Sequence, residues 1–374
     1  MAGKNIVTYA KENLDTFAQF PFCSVDSLIL SWLSYMKLPE EYREARGWGE
    51  GLRFTELFRA EYFKALFGDT WEPENSVYLL AAMTASPRFR DIRIKGYTEH
   101  TDEHTEKQFG AMTFVLPGGG SYVAFRGTDM SFTGWKEDFN MTYQYPVPAQ
   151  EEALRYLGEA AEHLSGGLYS GGHSKGGNLA VYAAAKAESA VRDRLLKVFS
   201  HDGPGFLPKV WESENFRSIL PKLEKTIPQS SLVGLLLDHE EELHIVKSNV
   251  MVNTVWQHDP FTWIVEDRSF CFLEHLTRKA EYMDRTLDRW LAEMSDEERK
   301  DFFGVLFSVL ETGGAKSVTD LRADWKKSIP SAVKAMSDMD EQKREFFLKI
   351  SRQLLSLGVK YLPELCAPSH LPSV

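Results

Sequence analysis

The chain has 374 residues, a formal net charge of −11, 43% hydrophobic residues and 13% aromatic residues. That length buries a substantial core and fits one large domain with an appendage, or two domains. The acidic balance excludes a general nucleic-acid binder, which needs a surplus of phosphate-neutralising cations, and apolar runs such as Leu232 to Leu237 are far too short to span a bilayer.

In chain order, Val25, Leu28, Trp32 and Met36 recur at helical spacing and predict a helix over 22–37. Charged and glycine-bearing sequence from Glu40 to Arg53 separates it from a second helical stretch, Phe54 to Phe67. Three strands follow, Ile92 to Tyr97, Ala111 to Leu116 and Tyr122 to Phe125, the last two joined through Pro117-Gly118-Gly119-Gly120 as a hairpin. From Gln150 the period is helical, with Leu154, Leu157, Ala161 and Leu164 on one face. Strands Leu168 to Gly172, Leu196 to Ser200 and Leu243 to Val246 then alternate with helices, which implies a mostly parallel sheet flanked by helices.

Past about Phe270 the strands stop. Leu276, Ala280, Met283, Leu287, Leu291 and Met294 trace a helical stripe, and Ser295-Asp296-Glu297-Glu298 is a capping box for a helix that Gly313-Gly314 ends. Pro330 breaks the next segment, and Phe346, Ile350 and Leu354 mark a last helix. Residues 1–270 therefore read as one α/β domain that includes the N-terminal helical region 1–70. Residues 271–374 read as a helical extension, either a small domain or a cap on the sheet.

The first ten residues carry no apolar core of a secretory signal, and the three cysteines, Cys23, Cys271 and Cys366, are dispersed and odd in number. Both features suit a reducing compartment, and a cytoplasmic protein is the expectation.

The chemistry centres on Gly172-His173-Ser174-Lys175-Gly176-Gly177, a G-x-S-x-G box followed by the small-residue helical run Asn178 to Ala185. In a nucleophile elbow a strand turns sharply into a helix, and the glycines let the two pass closely while the serine hydroxyl is exposed at the apex. A serine hydroxyl is a weak nucleophile at neutral pH. It needs a base, a group to orient that base, and donors for the oxyanion. Upstream, Tyr122 to Asp129 is a strand ending in a polar turn where Thr128 is placed to offer an amide; Lys175 offers the second.

Phe125-Arg126-Gly127-Thr128, then Trp135-Lys136-Glu137-Asp138-Phe139, then Gly172 to Gly177, resembles the fungal-type triacylglycerol lipases, which show F-R-G-[ST], W-x-x-D-L and G-H-S-x-G-G in that order. The match covers roughly residues 110–206. The whole chain looks closer still to an uncharacterised bacterial lipase-like branch, through H-S-K-G-G-N-L-A, D-G-P-G-F and Q-H-D-P-F. The resemblance implies an α/β-hydrolase fold and supports Thr128 as an oxyanion donor. In those lipases the apolar segment after the oxyanion loop forms a movable lid. Here Met130, Phe132, Trp135, Phe139, Met141, Tyr143 and Tyr145 fit either a lid or a fixed amphipathic helix.

Asp202, just past the strand that follows the elbow helix, is the preferred acid, and Asp202 to Phe206 also resembles the D-P-A-x-P segment of pancreatic-type lipases. The fungal-type order places the acid one strand later, which makes Asp238 the rival. His258, on the loop after the last strand, stands where the fold assigns the base. His201 and His244 belong to strand patterns, His173 packs under the elbow, and His275 opens the helical tail. Lys175 departs from the small or hydrophobic residue usual after the nucleophile and is expected to extend into solvent. His100, Asp102, Glu103 and His104 read as a solvated connection and not as a metal site.

The sequence thus reads as a serine hydrolase of a small-molecule or lipid ester: Ser174 as nucleophile, His258 as base, Asp202 as acid, Thr128 and Lys175 as oxyanion donors. It needs no metal or cofactor. An acyltransferase with the same triad and a non-catalytic binding protein on the same fold are the alternatives. The oligomeric state is not set by the sequence.

Overall fold

The computed structural model describes residues 3–129, 131–250, 255–312 and 325–366. Helices α1 (Ile6–Glu12) and α2 (Ser24–Leu33) open the chain, followed by β1 (Leu52–Arg53), α3 (Phe54–Leu57), α4 (Phe63–Phe67) and α5 (Pro73–Ala85). The helix predicted from Phe54 to Phe67 is two, because the backbone leaves helical geometry at Phe58 and Arg59. Next come β2 (Arg93–Asp102), β3 (Lys107–Val115), β4 (Ser121–Phe125), α6 (Phe132–Asn140), α7 (Pro148–His163), β5 (Leu168–His173) and α8 (Lys175–Lys186). After α9 (Ser189–Arg194) follow β6 (Leu195–His201), α10 (Pro208–Trp211), α11 (Glu214–Ile219), β7 (Leu223–Pro228) and β8 (Leu243–Val246). A short hairpin, β9 (Val265–Glu266) with β10 (Ser269–Phe270), precedes β11 (Phe272–Leu273).

Nine strands form one sheet in the order β1-β2-β3-β4-β5-β6-β7-β8-β11. The five strands β4 to β8 run parallel, and antiparallel strands extend the sheet on both sides. Because β4 to β8 are laid down in sequence in one direction, right-handed crossovers must put their helices on one face. Accordingly Ala153, Leu157 and Ala160 of α7, Leu179 to Ala185 of α8 and Phe216 of α11 share a buried cluster with Phe109, Val123, Phe125 and Val198. The other face needs a separate cover. The N-terminal helices supply it: Ile6, Leu28, Trp32, Leu79 and Met83 pack with Met112, Phe114, Tyr122 and Phe199. Neighbouring strand residues such as Val123 and Ala124 point to opposite clusters, as the strand period of two requires.

Beyond the sheet lie α12 (Arg278–Ala292), α13 (Asp296–Thr312) and the helices Trp325–Asp338 and Glu341–Cys366. The capping box forms: the Ser295 amide donates to Glu298 Oε2 at 2.9 Å and the Glu298 amide to Ser295 Oγ at 3.2 Å. Pro330 does not break its segment but sits inside a helix, where its ring removes one hydrogen bond and crowds the preceding turn without ending the helix. The predicted stop at Gly313-Gly314 lies outside the described residues, as does Met130. Trp290, Phe302, Phe303, Ile350 and Leu357 form a cluster of their own.

Helix α6 lies between this cluster and the sheet. Its Phe139 ring is 4.5 Å from Phe303, its Phe132 ring is 6.2 Å from Phe307, and Lys136 pairs with Glu311 at 2.6 Å. Phe132, Phe303 and Phe307, buried there, contribute roughly 1.5–3 kcal/mol each. No helix among the described residues is long and apolar enough to cross a membrane.

Candidate active site

The ends of β5 and β6 carry the first two side chains. Ser174 follows His173 directly and has φ 59° and ψ −135°, a region that costs on the order of 1–3 kcal/mol for a residue with a Cβ. Two hydrogen bonds hold it there: its amide donates to the His201 carbonyl and its carbonyl accepts from the Gly177 amide, each at 2.9 Å. The flanking glycines are required by contact. A Cβ on Gly172 would stand 2.2 Å from the Gly176 carbonyl carbon, and one on Gly176 would stand 2.1 Å from the Phe125 carbonyl oxygen.

One strand over, β6 ends in His201, paired with His173 across the ladder, and Asp202 turns out of the sheet at φ 51°. Its amide donates to the Thr226 carbonyl at 2.7 Å, and its carboxylate is fully buried. Asp202 Oδ1 accepts from the Ser231 hydroxyl and, at 3.1 Å, from the Gly234 amide. Asp202 Oδ2 meets His258 Nδ1 at 2.6 Å. Both donors on Oδ1 come from the loop after β7, a strand absent from the sequence reading.

His258 ends a 3₁₀ turn, Val255–His258, and its side chain keeps 26% exposure. The Asp202 contact makes Nδ1 the protonated nitrogen, and Nε2 has no hydrogen bond among the described residues. The ring rests against the elbow: its centroid is 4.4 Å from that of His173, and the His258 carbonyl lies 2.9 Å from His173 Nε2. That contact makes Nε2–H the donor in His173, leaving Nδ1 to accept from the Tyr35 hydroxyl at 3.2 Å. Burial holds His173 neutral, its pKa well below the usual imidazole range. His201 is buried too, between the Ser27 hydroxyl at 2.8 Å and the Thr226 hydroxyl at 2.7 Å, and burial lowers its pKa to about 3.

Asp238, the rival acid, is bridged through its backbone to Phe206, and its carbonyl accepts from the Trp211 indole at 2.8 Å. Burial raises its carboxyl pKa, and among the described residues no hydrogen bond joins it to His258.

The amides of Thr128 and Lys175 donate to no acceptor among the described residues. The Thr128 hydroxyl donates to Asp138 Oδ2 at 2.5 Å. Asp138 Oδ1 is buried without a hydrogen-bond partner among the described residues, and burial, opposed by Lys175, pushes this carboxyl up to about 6. The expectation that Lys175 reaches solvent is corrected. Its side chain is fully buried, because Glu137 of α6 provides a counter-charge at 2.9 Å. Lys175 opens a helix that is buried along nearly its whole length, and a cation held there demands an acidic partner.

A sheet with a parallel centre flanked by helices, bearing an elbow serine at the end of β5, defines an α/β-hydrolase fold. The chain belongs to the Mbeg1-like family, whose sequence profile matches residues 83–308. Among solved structures it is similar to the M37 lipase, at 17% identity over 48% of this chain and 69% of that one, with a TM-score of 0.34. A Rhizomucor miehei lipase–propeptide complex is similar at 18% identity over 46% and 66%, with a TM-score of 0.31. A fungal lipase–inhibitor complex is similar at 14% identity over 58% and 77%, with a TM-score of 0.36. No curated protein matches the chain in sequence.

Proposed function

We propose that the protein is a serine hydrolase that cleaves a carboxylic ester, a lipid or other acyl ester, through an acyl-enzyme on Ser174. The observation that carries this reading is the contact of buried Asp202 with His258 Nδ1 at 2.6 Å, beside a serine held at positive φ. In the proposed cycle Ser174 Oγ attacks the ester carbonyl carbon while His258 Nε2 takes its proton. Asp202 stabilises the imidazolium, and the Thr128 and Lys175 amides bind the tetrahedral oxyanion. Collapse expels the alcohol, which takes the proton from His258. Water, activated by the same imidazole, then attacks the acyl-enzyme and frees the acid and Ser174. No step calls for a metal or cofactor.

The preference for Asp202 over Asp238 rests on which carboxylate faces the imidazole. The ester class rests on the ordered F-R-G-T, W-K-E-D-F and G-H-S-K-G-G motifs and their likeness to lipases, and the bacterial kinship on the phrases around Ser174, Asp202 and His258. A reducing, cytoplasmic setting is supported by the free thiols of Cys23 and Cys271. A boundary near residue 270 between hydrolase body and helical extension is supported by the cluster that Trp290, Phe302, Phe303, Ile350 and Leu357 form within the extension, with Phe139 and Tyr143 packed against it.

The test is covalent labelling by a fluorophosphonate, followed by an ester panel of graded chain length. Wild-type protein should label at Ser174 and turn over at least one ester, and folded Ser174→Ala should do neither. Absence of labelling at a folded wild-type Ser174 would sink the hydrolase reading in favour of a binding protein on this fold.

A further inference from the structure

Lys175 sits directly behind the candidate nucleophile, and its ammonium is saturated. Its three protons meet three acceptors: Glu137 Oε2 at 2.9 Å, and the carbonyl and side-chain oxygens of Gln108, each at 2.8 Å. Glu137 is equally engaged, Oε2 accepting also from the Gln108 amide at 3.0 Å and Oε1 from the Ala149 amide at 2.8 Å. Both charged side chains are fully buried.

Stability alone is a poor reason for such a pair. Desolvating two ions is costly, and apolar residues filling the same space are often as stable or more so. What the pair fixes is geometry. Glu137 is followed in α6 by Asp138, which accepts from the Thr128 hydroxyl at 2.5 Å. Consecutive carboxylates of one helix therefore hold the side chains of Thr128 and Lys175. α6 is itself wedged against α13 by Phe132 and Phe139.

We propose that the buried Lys175–Glu137 pair is a positioning device that sets the separation and direction of the two oxyanion amides, with α6 as a fixed wall of the site and not a hinged cover. The inference rests on the reading of Thr128 and Lys175 as oxyanion donors. Neither charged group touches the reacting atoms. Each acts through the backbone it anchors, where a displacement of about 1 Å lowers turnover by about 10²-fold.

The experiment compares wild type, Lys175→Met and the charge-free double variant Lys175→Met/Glu137→Gln, which keeps an acceptor oxygen beside the Gln108 and Ala149 amides, on a soluble ester. Active sites are counted by fluorophosphonate burst. Inhibition by an alkyl trifluoromethyl ketone is measured in parallel, because its hemiketal oxyanion imitates the tetrahedral intermediate. The expected result is a kcat per titrated site lower by about 10²-fold, KM within about threefold of wild type, and ketone affinity lowered in step with kcat/KM. Should Lys175→Met fail to fold around an unpaired Glu137, the double variant, which removes both charges of the pair, carries the test. Variants that lose active sites or melt earlier, yet keep kcat per site and ketone affinity, would reduce the pair to a structural role. Wild-type labelling and turnover separate that outcome from failure of the hydrolase reading itself.

Discussion

Replacing Asp202 with asparagine tests the site most directly, because the surrounding donors dictate which way the amide must face. Oδ1 of Asp202 accepts from both the Ser231 hydroxyl and the Gly234 amide. In Asp202→Asn the amide oxygen must take that position, since an NH₂ group there would face the Gly234 N–H. The NH₂ group is then aimed at His258 Nδ1, which becomes an acceptor, so the ring proton moves to Nε2. Nε2 can no longer take a proton from Ser174. A wrong-tautomer block of this kind costs about 10⁴-fold in kcat, or about 5 kcal/mol at 1.36 kcal/mol per factor of ten. Shape is unchanged and no partner on Oδ1 is lost, so the melting temperature should hardly move. The assay is kcat/KM on a soluble ester per folded molecule, beside Asp238→Asn. Activity within tenfold of wild type for Asp202→Asn, or a larger loss for Asp238→Asn, would refute the assignment of the acid.

Gly176→Ala should fold poorly or not at all, because its Cβ would lie 2.1 Å from a backbone oxygen that cannot step aside; soluble yield and circular dichroism report this. His201→Ala should cost about 1–3 kcal/mol by denaturant titration, since the Ser27 and Thr226 hydroxyls lose a buried partner, while each folded molecule still labels at Ser174. Asp259 is pushed up to about 7 by burial, against the Phe261 amide that hydrogen-bonds it. Native protein therefore binds this proton more tightly than unfolded chain, so the stability it contributes is full below about pH 4 and lost as pH rises to about 7. Asp259→Asn should flatten that part of a melting-temperature profile taken from pH 4.5 to 8. Asp26→Ala should destabilise by about 3–5 kcal/mol, leaving Arg88 buried without its carboxylate at 2.5 Å.

The elbow and the chain order of serine, carboxylate and histidine were legible because each depends on local chemistry: glycines where backbones touch, and polar residues just past strand ends. The parallel centre of the sheet was legible from alternation of strand and helix. Strand β7 was not. Leu223-Glu224-Lys225-Thr226-Ile227-Pro228 buries Lys225, which pairs with Glu241 at 3.2 Å, so its polar residues conceal a buried strand. Helices α1 and α5 were missed as well. α5 is short of a continuous apolar stripe, and its buried face includes Ser76, which accepts from the Trp32 indole at 2.9 Å. The burial of Lys175 depends on Glu137, 38 residues away, and no local pattern reports a partner at that distance.

The nine-stranded sheet ends on each side in a strand of two residues, Leu52–Arg53 at one rim and Phe272–Leu273 at the other. At the first rim β1 covers only Arg93 and Ile94 of the ten-residue β2, so resistance to an incoming strand falls to the charged residues Glu99 and Asp102 along the rest of that edge. Charge at one rim, and the brevity of β11 at the other, thus discourage strand-by-strand polymerisation, even though Phe272 and Leu273 themselves face water.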